Sequence, residues 1–294
     1  MAFNSTDLAA FKDIWVFCEQ REGKLMNTDF ELISEARKLA DERGSQLVGV
    51  LIGHNVKDLA KELGGYGADK VYVCEAPALE VYTTDAYAKV LCDICMDKKP
   101  EVVLFGATNY GRDLAPRCAA RLCTGLTADC THLDIDMDNY VEFLEKASSL
   151  DIASKKFNME DVNLKMTRPA FGGNVMATIR CADYRPQMAT VRPGVMKLAE
   201  AQPGKQGEVE DFKVEFTPED MNVTIKEVIK ETKKAVDITD AKVLVSGGRG
   251  IGSADYYKEL QKVADLLGGE ISSSRANVDA GWIAKDRQVG QTGK

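Results

Sequence analysis

The stretch Gln46-Leu-Val-Gly-Val-Leu-Ile52 is apolar at all but its first position, as expected for a strand that is buried on both faces of a sheet. Similar short apolar runs lie on either side of it, at 13–18, 70–74 and 101–105. Helical spacing of apolar residues lies between and after them, from a capping box at 28–31 onward and at 57–63, 84–97 and 112–122. Buried strands that alternate with helices predict an α/β domain built on a parallel sheet covered on both faces.

The pattern changes after residue 125. The segments 167–181 and 188–195 have the character of strands joined by turns, which predicts an antiparallel addition to the sheet. The stretch 138–165 is polar and irregular, and we interpret it as an excursion on the surface without an assigned function.

A second α/β unit follows a linker. Residues 200–207 are rich in Pro, Gly and polar side chains, so we place the domain boundary there and predict domains at 1–206 and 207–294. A charged amphipathic helix is predicted at 224–235. The remaining pattern is a strand, a helix and a strand, at 241–246, 253–267 and 270–274.

Composition and charge exclude several classes of protein. The 294 residues carry a net charge of -8, which argues against binding of nucleic acid, because phosphate contacts need a basic face. The N-terminus lacks the features of a secretory signal or a mitochondrial transit peptide. No apolar run approaches the roughly 20 residues of a membrane helix, so we predict no membrane insertion and a cytoplasmic location.

The eight cysteines predict no metal or disulfide chemistry. Most lie inside apolar runs, where free cysteine serves as a small core residue. Cys92 and Cys95 form one CxxC pair, but they fall within a helical pattern and no second pair exists. His54 and His132 are the only histidines, and they stand apart in the sequence.

The run Lys242-Val-Leu-Val-Ser-Gly-Gly-Arg-Gly-Ile-Gly-Ser253 predicts a strand, a Gly-rich turn and a helix, an arrangement that favours a phosphate group. It does not match the dinucleotide fingerprint, because Ser253 stands where the third glycine is required. Arg249 within this turn either closes a structural ion pair or binds a ligand's phosphates through two hydrogen bonds.

Two further loops carry hydrogen-bond donors. Gln288-Val-Gly-Gln-Thr-Gly-Lys294 fails as a P-loop, since its first position is Gln and no Ser or Thr follows the Lys. It is either an ordinary surface turn or a loop whose donors line a planar, acceptor-rich ring. Ser272-Ser-Ser-Arg275 follows the end of a predicted strand, and ligands of open α/β sheets bind at such ends. The alternative is a solvated loop in which Arg275 forms an ion pair with Asp279. No nucleophile with a base and no pair of acidic catalytic groups is evident.

At these residues the chain resembles the alpha subunit of electron transfer flavoprotein. The resemblance covers nearly the whole chain and includes the late run VLVSGGRGIGS…SSSRANVDAGW…DRQVGQTGK. In the first domain it rests on four motifs, at 110–117, 124–129, 167–174 and 189–194. It implies a nucleotide-hydrolase-like N-terminal α/β domain that packs on a beta subunit, followed by a smaller doubly wound domain that binds FAD.

The resemblance also implies roles for individual residues. Arg249 and Ser274 would hold the phosphates and the ribose region of FAD, and Arg275 would lie over the flavin ring. The ring would be lined by the late loop, with Thr292 as the hydrogen-bond partner of the flavin N5: Gln288, Val289, Gly290, Gln291, Thr292 and Gly293. The family continues beyond the position of Lys294 through elements that add contacts to FAD, so the FAD domain is expected to be incomplete and to hold FAD weakly or not at all.

The function implied by the resemblance is that of an electron carrier between flavin dehydrogenases, of the acyl-CoA or a related type, and downstream acceptors. An electron-bifurcating form, in which the beta subunit oxidises NADH, is one variant. Two alternatives remain open: a nucleotide-binding enzyme, for which Glu19-Gln-Arg-Glu-Gly-Lys24 lacks a phosphate loop, and a structural docking subunit.

Overall fold

The computed structural model describes residues 3–149, 151–202, 204–229, 238 and 241–290. The chain divides into two compact units, Met1–Lys226 and Glu227–Lys294, and each is considered by itself.

The helices of the first unit are α1 (Asn27–Arg43), α2 (Ala60–Gly65), α3 (Thr84–Lys98), α4 (Asn109–Arg121) and α5 (Met137–Ala147). Its strands are β1 (Lys12–Cys18), β2 (Gln20–Arg21), β3 (Lys24–Leu25), β4 (Leu47–Gly53), β5 (Lys70–Glu75), β6 (Pro100–Gly106), β7 (Leu126–Cys130), β8 (His132–Asp134), β9 (Lys165–Ala170), β10 (Val175–Ile179), β11 (Gln187–Val191) and β12 (Glu208–Asp211). Short 3₁₀ turns occupy Leu8–Ala10, Lys57–Leu59, Pro77–Leu79, Phe171–Gly173 and Pro218–Asp220.

The main sheet has the order β12-β5-β4-β1-β6-β11-β7, and its neighbouring strands pair in parallel. Successive residues of β1 enter two different cores because side chains alternate across a strand. Ile14 packs in a cluster with Leu32 of α1, and Trp15 packs in a second cluster with Leu91 of α3. The predicted parallel sheet with apolar cores on both faces is therefore confirmed.

The prediction of an antiparallel addition to this sheet is wrong. β11 lies inside the main sheet, parallel to β6 and β7, while β9 and β10 form a separate antiparallel sheet with β8. The burial of β11 explains the difference, because all five of its residues are buried and an interior position accommodates them.

Two local details also differ from the sequence analysis. The predicted irregular stretch 138–165 begins with α5, and its end is buried, with Leu164 and Lys165 almost inaccessible to solvent. Helix α1 begins at Asn27, and the carboxylate of Asp29, rather than the predicted box at 28–31, accepts the backbone N–H of Met26 at 2.9 Å.

The structure places the division between units later than the predicted boundary at 206/207. Glu208–Asp211 pairs in parallel with Lys70–Val73 and so completes one edge of the main sheet. The segment 200–207 therefore leads to a strand of the first unit, and the structural division falls after Lys226.

The second unit contains β13 (Leu244–Gly247), α6 (Tyr257–Leu267), β14 (Glu270–Ser273) and α7 (Arg275–Asp279), with 3₁₀ turns at Arg249–Ile251, Ala254–Tyr256 and Lys285–Arg287. β13 and β14 pair in parallel with Gly247 opposite Ser273, as the strand–helix–strand pattern predicts. Of the helix predicted at 224–235, residues 224–229 are not helical, and the rest lies outside the described residues. Within the described ranges, no helix has the length and apolar character that crossing a membrane requires.

Candidate functional site

The strand ends of the second unit are tied together at the carbonyl oxygen of Gly247. This oxygen accepts the backbone N–H of Ser274 at 3.0 Å and the hydroxyl of Ser273 at 3.1 Å. It also accepts the side-chain amide of Asn277, at 3.3 Å. The Gly-rich turn that follows β13 and the segment that follows β14 are therefore fixed side by side.

The buried side chain of Tyr257 also contacts this junction. Its ring is buried, and its hydroxyl bonds to the hydroxyl of Ser273 and receives the side-chain amide of Asn277 at 2.8 Å. A Cβ atom at Gly247 would lie 2.8 Å from the Tyr257 hydroxyl, so this position requires glycine. Neither Tyr257 nor Asn277 was predicted from the sequence as a site residue. Each is a buried polar side chain in a helix, Tyr257 in α6 and Asn277 in α7.

The third loop joins the same edge. Gln288 forms a parallel bridge with Ser273, and the N–H of Val289 donates to the carbonyl of Ser273 at 2.9 Å. Gln288 is only 5 % exposed, whereas Gly290 is exposed and has a φ of 107°. The structure thus brings Gln288 and Val289 to the end of β14, which is paired with β13. The other predicted residues of this loop, Gln291, Thr292 and Gly293, lie outside the described residues.

The two arginines that the sequence selected are both accessible. Arg249 is exposed, and its guanidinium has no hydrogen-bond or ion-pair partner within the described part of the chain. The Nε of Arg275 lies 3.3 Å from a carboxylate oxygen of Asp279, with the side chains 66 % and 64 % exposed. The alternative pairing is thus present, but an ion pair that is exposed to this degree contributes at most about 1 kcal/mol and leaves Arg275 available to a ligand.

The residues next to these arginines in the sequence suit a phosphate-containing cofactor. Gly248 and Gly250 are exposed, and a Cβ at either would have no heavy atom within 4 Å, so a ligand could approach the backbone closely. Ser274 precedes α7 in an extended conformation, and its side chain does not cap that helix. A free guanidinium beside an open glycine turn and an uncommitted hydroxyl is a donor set that phosphate and ribose oxygens require.

Comparison with known families agrees with this geometry. Residues 14–217 match the electron transfer flavoprotein domain, and residues 237–294 match the electron transfer flavoprotein FAD-binding domain. The chain belongs to the electron transfer flavoprotein alpha-subunit family. It is therefore an FAD-binding electron transfer protein, as predicted, and alpha subunits of this family work with a beta subunit.

Close relatives support the assignment. The chain is 63 % identical to the acryloyl-CoA reductase electron transfer subunit beta of Anaerotignum propionicum, covering all of this chain and 82 % of the relative. It is 51 % identical to the electron transfer flavoprotein subunit alpha of Thermoanaerobacterium thermosaccharolyticum, over 97 % of this chain and 79 % of the relative. The corresponding subunit of Megasphaera elsdenii is 50 % identical, over 98 % and 79 %.

The first unit of this alpha subunit has a second strand edge with the topology of a nucleotide-binding site. Strand order reverses between β1 and β6, and ligands of open α/β sheets bind at such a point. Here the buried carboxylate of Glu19 accepts the hydroxyl of Thr108 and the Nε of Arg21, the latter at 2.7 Å. The Arg21 guanidinium lies 4.7 Å above the ring of Tyr110. Side chains of the protein itself, including an anionic one, therefore occupy this strand end.

The cysteines and histidines of the described residues have the following surroundings. All eight cysteines are free, and Cys92 and Cys95 are buried in α3, where burial raises the pKa of the Cys95 thiol well above its usual value. His132 stacks on Phe143, with ring centroids 3.7 Å apart, and lies 2.7 Å from Asp134. No group of three potential metal ligands occurs among the residues that the structure describes.

Proposed function

We propose that the edge formed by the ends of β13 and β14 is the FAD site and that individual residues act there as the sequence analysis assigns them. Arg249 binds the phosphates, Ser274 contacts the ribose region, and Arg275 lies over the flavin ring. The loop Gln288–Gly293 lines the ring, and Thr292 donates to N5. The observation that carries the proposal is the convergence of the three donor-bearing loops on the carbonyl of Gly247 and the backbone of Ser273.

Charge and shape explain how these residues would act. The planar guanidinium of Arg249 can donate two parallel hydrogen bonds to one phosphate, which positions as well as attracts it. Arg275 places a positive charge beside the ring and so favours a reduced ring that carries negative charge. FAD itself supplies the redox chemistry when it is bound. The protein supplies position, charge and shelter from solvent.

We further propose that this subunit, with its beta subunit, carries electrons for a flavin dehydrogenase or reductase that acts on acyl-CoA thioesters. The support is the 63 % identity to a protein named as the electron transfer subunit of acryloyl-CoA reductase. An electron-bifurcating form and a cytoplasmic location are consistent with this proposal. NADH oxidation that requires two different acceptors would establish bifurcation.

Purification of the subunit with its beta subunit tests the FAD site. We expect Arg249→Ala to weaken FAD binding about 10- to 100-fold in an FAD titration of the heterodimer, because a charge-assisted hydrogen bond contributes about 1.5–3 kcal/mol. Lys258→Ala is the control, since Lys258 carries the same charge in the same unit and pairs only with Asp255 in the described structure. Equal FAD affinity in both variants would exclude the phosphate role.

The same titration distinguishes the docking-subunit alternative. A heterodimer that forms but takes up no FAD at any concentration would support a purely structural subunit.

A further inference from the structure

A cleft of about 320 Å³ lies in the first unit, and most of its lining comes from the stretch 138–165, to which the sequence assigned no function. Three of the lining residues are apolar or aromatic. Tyr140 and Phe157 are half-buried, and Met137 is 5 % exposed. A cleft of this volume holds about ten water molecules at about 30 Å³ each, which limits a ligand to about ten non-hydrogen atoms.

Lys165, at the first position of β9, lines this cleft although it is only 1 % exposed. Its Nζ donates to the backbone carbonyls of Ile135 at 2.8 Å and Asp161 at 2.5 Å. An ammonium group has three donors, and the described residues provide no acceptor for the third. A buried charge needs a full set of hydrogen bonds, because it has lost the hydration that water would provide. A ligand in the cleft can supply the missing acceptor.

Positive charge exceeds negative charge in the lining of the cleft. Lys156 and Arg180 join Lys165, and Asp161 is the one acid among the described lining residues. The Asp161 carboxylate is already engaged, since it accepts the guanidinium of Arg180 and two N–H groups of Asn163 at 2.9 and 2.6 Å. Lys156 has no hydrogen-bond or ion-pair partner in the described ranges. An additional anion is therefore favoured here.

The other acids that act on Lys165 bond elsewhere. The carboxylate of Asp134 lies 2.7 Å from Nε2 of His132, and the carboxylate of Asp136 caps α5 by accepting two backbone N–H groups at 2.9 and 3.0 Å. Burial is the largest effect on the pKa of Lys165 and lowers it below its usual value, in spite of these acids. The protein's own carboxylates thus do not fully compensate for the burial of this ammonium group.

We propose that this cleft binds a small organic carboxylate with an apolar body. The carboxylate accepts hydrogen bonds from Lys165, Lys156 and Arg180, and the body packs on Phe157 and Tyr140. Inorganic phosphate fits less well, because it would leave the apolar side chains in contact with water. A neutral apolar ligand also fits less well, because it would leave the third donor of Lys165 unsatisfied. The inference does not depend on the FAD site and goes beyond the proposed function.

Titration of benzoate into the FAD-loaded heterodimer tests the site. We expect a Kd of about 1 mM or tighter, which a ligand within this size limit can reach. Binding should shift the NMR signal of the Met137 methyl group in a heterodimer with methyl-labelled methionine, and Met137→Leu assigns that signal. Benzamide lacks the charge and acetate lacks the apolar body, so each should bind at least about 10-fold more weakly.

Two variants and a matched control test the role of charge. Lys165→Met keeps the length of the side chain and should weaken benzoate binding at least about 10-fold, because a charge-assisted hydrogen bond is lost. Arg180→Gln changes a side chain that is 54 % exposed, so the fold should tolerate it, and we expect binding to weaken about 3- to 10-fold. Lys146→Gln is the control, since Lys146 of α5 is 72 % exposed and pairs with Glu142. It should stay within about twofold of the unmodified protein.

The outcomes decide the inference separately from the proposed function, which FAD uptake tests. Loss of benzoate affinity in Lys165→Met and Arg180→Gln, but not in Lys146→Gln, would establish the site. Equal affinity in all of these variants, or no shift of the Met137 signal well above the expected Kd, would overturn it. Inorganic phosphate that binds as tightly as benzoate and loses affinity in Lys165→Met would identify a simple anion site and would also overturn the proposed carboxylate.

Discussion

The two strand edges of this molecule follow the same architecture and differ in what fills them. In the first unit, the buried carboxylate of Glu19 closes the end of β1 by accepting hydrogen bonds from Thr108 and Arg21. In the second unit, the end of β13 is an open glycine turn beside Arg249, whose guanidinium has no partner among the described residues. One edge is complete without a ligand, and the other presents positive charge to solvent.

This difference teaches that parallel strands alone do not make a nucleotide site. Both edges lie at the carboxyl ends of parallel strands, where open α/β sheets bind ligands. Function depends on side chains: an internal carboxylate excludes phosphate from one edge, while glycines and a free guanidinium suit it at the other. The comparison can be tested at both edges by variants that close the open edge or disturb the closed one.

The largest expected effect comes from Gly111, which lets α4 pack against the end of β6. A Cβ at this position would lie 1.8 Å from the carbonyl oxygen of Gly106, which is backbone and cannot rotate away. We expect Gly111→Ala to lower the free energy of unfolding of the first unit by about 3 kcal/mol. The measurement is denaturant unfolding with fluorotryptophan labels, because Trp15 and Trp282 report on the first and second units separately.

Gly65→Ala in α2 is the matched control. A Cβ at Gly65 would approach nothing closer than 3.8 Å, and its backbone is not in the left-handed region. We expect a gain of up to about 1 kcal/mol, because alanine restricts the unfolded chain. Equal stability of the two variants would show that the closed edge does not depend on this contact.

The next effect concerns the carboxylate that closes the first edge. Glu19→Ala leaves the hydroxyl of Thr108 and the guanidinium of Arg21 without their buried acceptor. We expect a loss of about 2–3 kcal/mol in the unfolding free energy reported by Trp15. The exposed Glu80 provides the control, and Glu80→Ala should change stability by less than about 0.5 kcal/mol. If Glu19→Ala left the unfolding free energy unchanged, this carboxylate would not be what holds the first edge closed.

The sequence predicts the strands that lead to the first edge, but not the contacts of Glu19 that close it. Strands β1, β4, β5 and β6 are recognisable because each is a continuous apolar run, and the observed bounds differ by one residue at the ends. The position of β11 between β6 and β7 could not be derived, because chain order does not reveal which strands pair across a long insertion. The pairing of Glu208–Asp211 with β5 was not predicted either, because this strand is short and polar and lacks the apolar pattern of the other strands.

The sequence also predicts which loops form the second edge, but not what supports them. Glycines and arginines after apolar runs identify the loops at Arg249, Arg275 and Gln288 directly. The roles of Tyr257 and Asn277 depend on a buried hydrogen-bond network between a helix and two strand ends, and local patterns do not encode such contacts. The roles assigned to single residues on FAD stay predictions.

At the open edge, Gly247 provides the corresponding packing test. A Cβ there would meet three atoms of the Tyr257 side chain within 2.9 Å, and that side chain is buried, with its hydroxyl hydrogen-bonded to Ser273 and Asn277. We expect Gly247→Ala to cost about 2 kcal/mol in the Trp282 transition, measured without FAD. Gly248→Ala is the adjacent control, because a Cβ at Gly248 has open space and should leave this transition unchanged. A cost at Gly248 equal to that at Gly247 would refute the proposed junction.

Arg275 tests the electrostatic side of the comparison. Removal of a cation beside the flavin should lower the flavin potential, and a charge-assisted interaction of about 1.5–3 kcal/mol corresponds to about 60–130 mV for one electron. We expect this shift for Arg275→Ala in a spectroelectrochemical titration. Asp279→Asn removes only the 3.3 Å ion pair and keeps the cation, so the potential should stay the same or rise slightly. An unchanged potential in Arg275→Ala would remove its assigned role.

The smallest expected effect concerns Asp129, at the end of β7 near the closed edge. The hydrogen bond from Arg192 lowers the pKa of this carboxyl below its usual value. An acid whose pKa is lower in the folded state stabilises the fold above its unfolded pKa of about 4, and that contribution is lost as the pH falls through the folded pKa. Asp129→Asn should therefore cost about 0.5–1 kcal/mol at pH 7, since the pair is partly exposed, and progressively less below about pH 4.

Asparagine suits this last test because Asp129 has a φ of 62°, a conformation that asparagine adopts as readily as aspartate. A stability difference therefore reports the charge and not the backbone. Asp183→Asn, at an exposed acid without an ion-pair partner among the described residues, should show no difference at either pH. If the cost of Asp129→Asn were the same at pH 7 and at pH 3, the arginines would not be stabilising a charge.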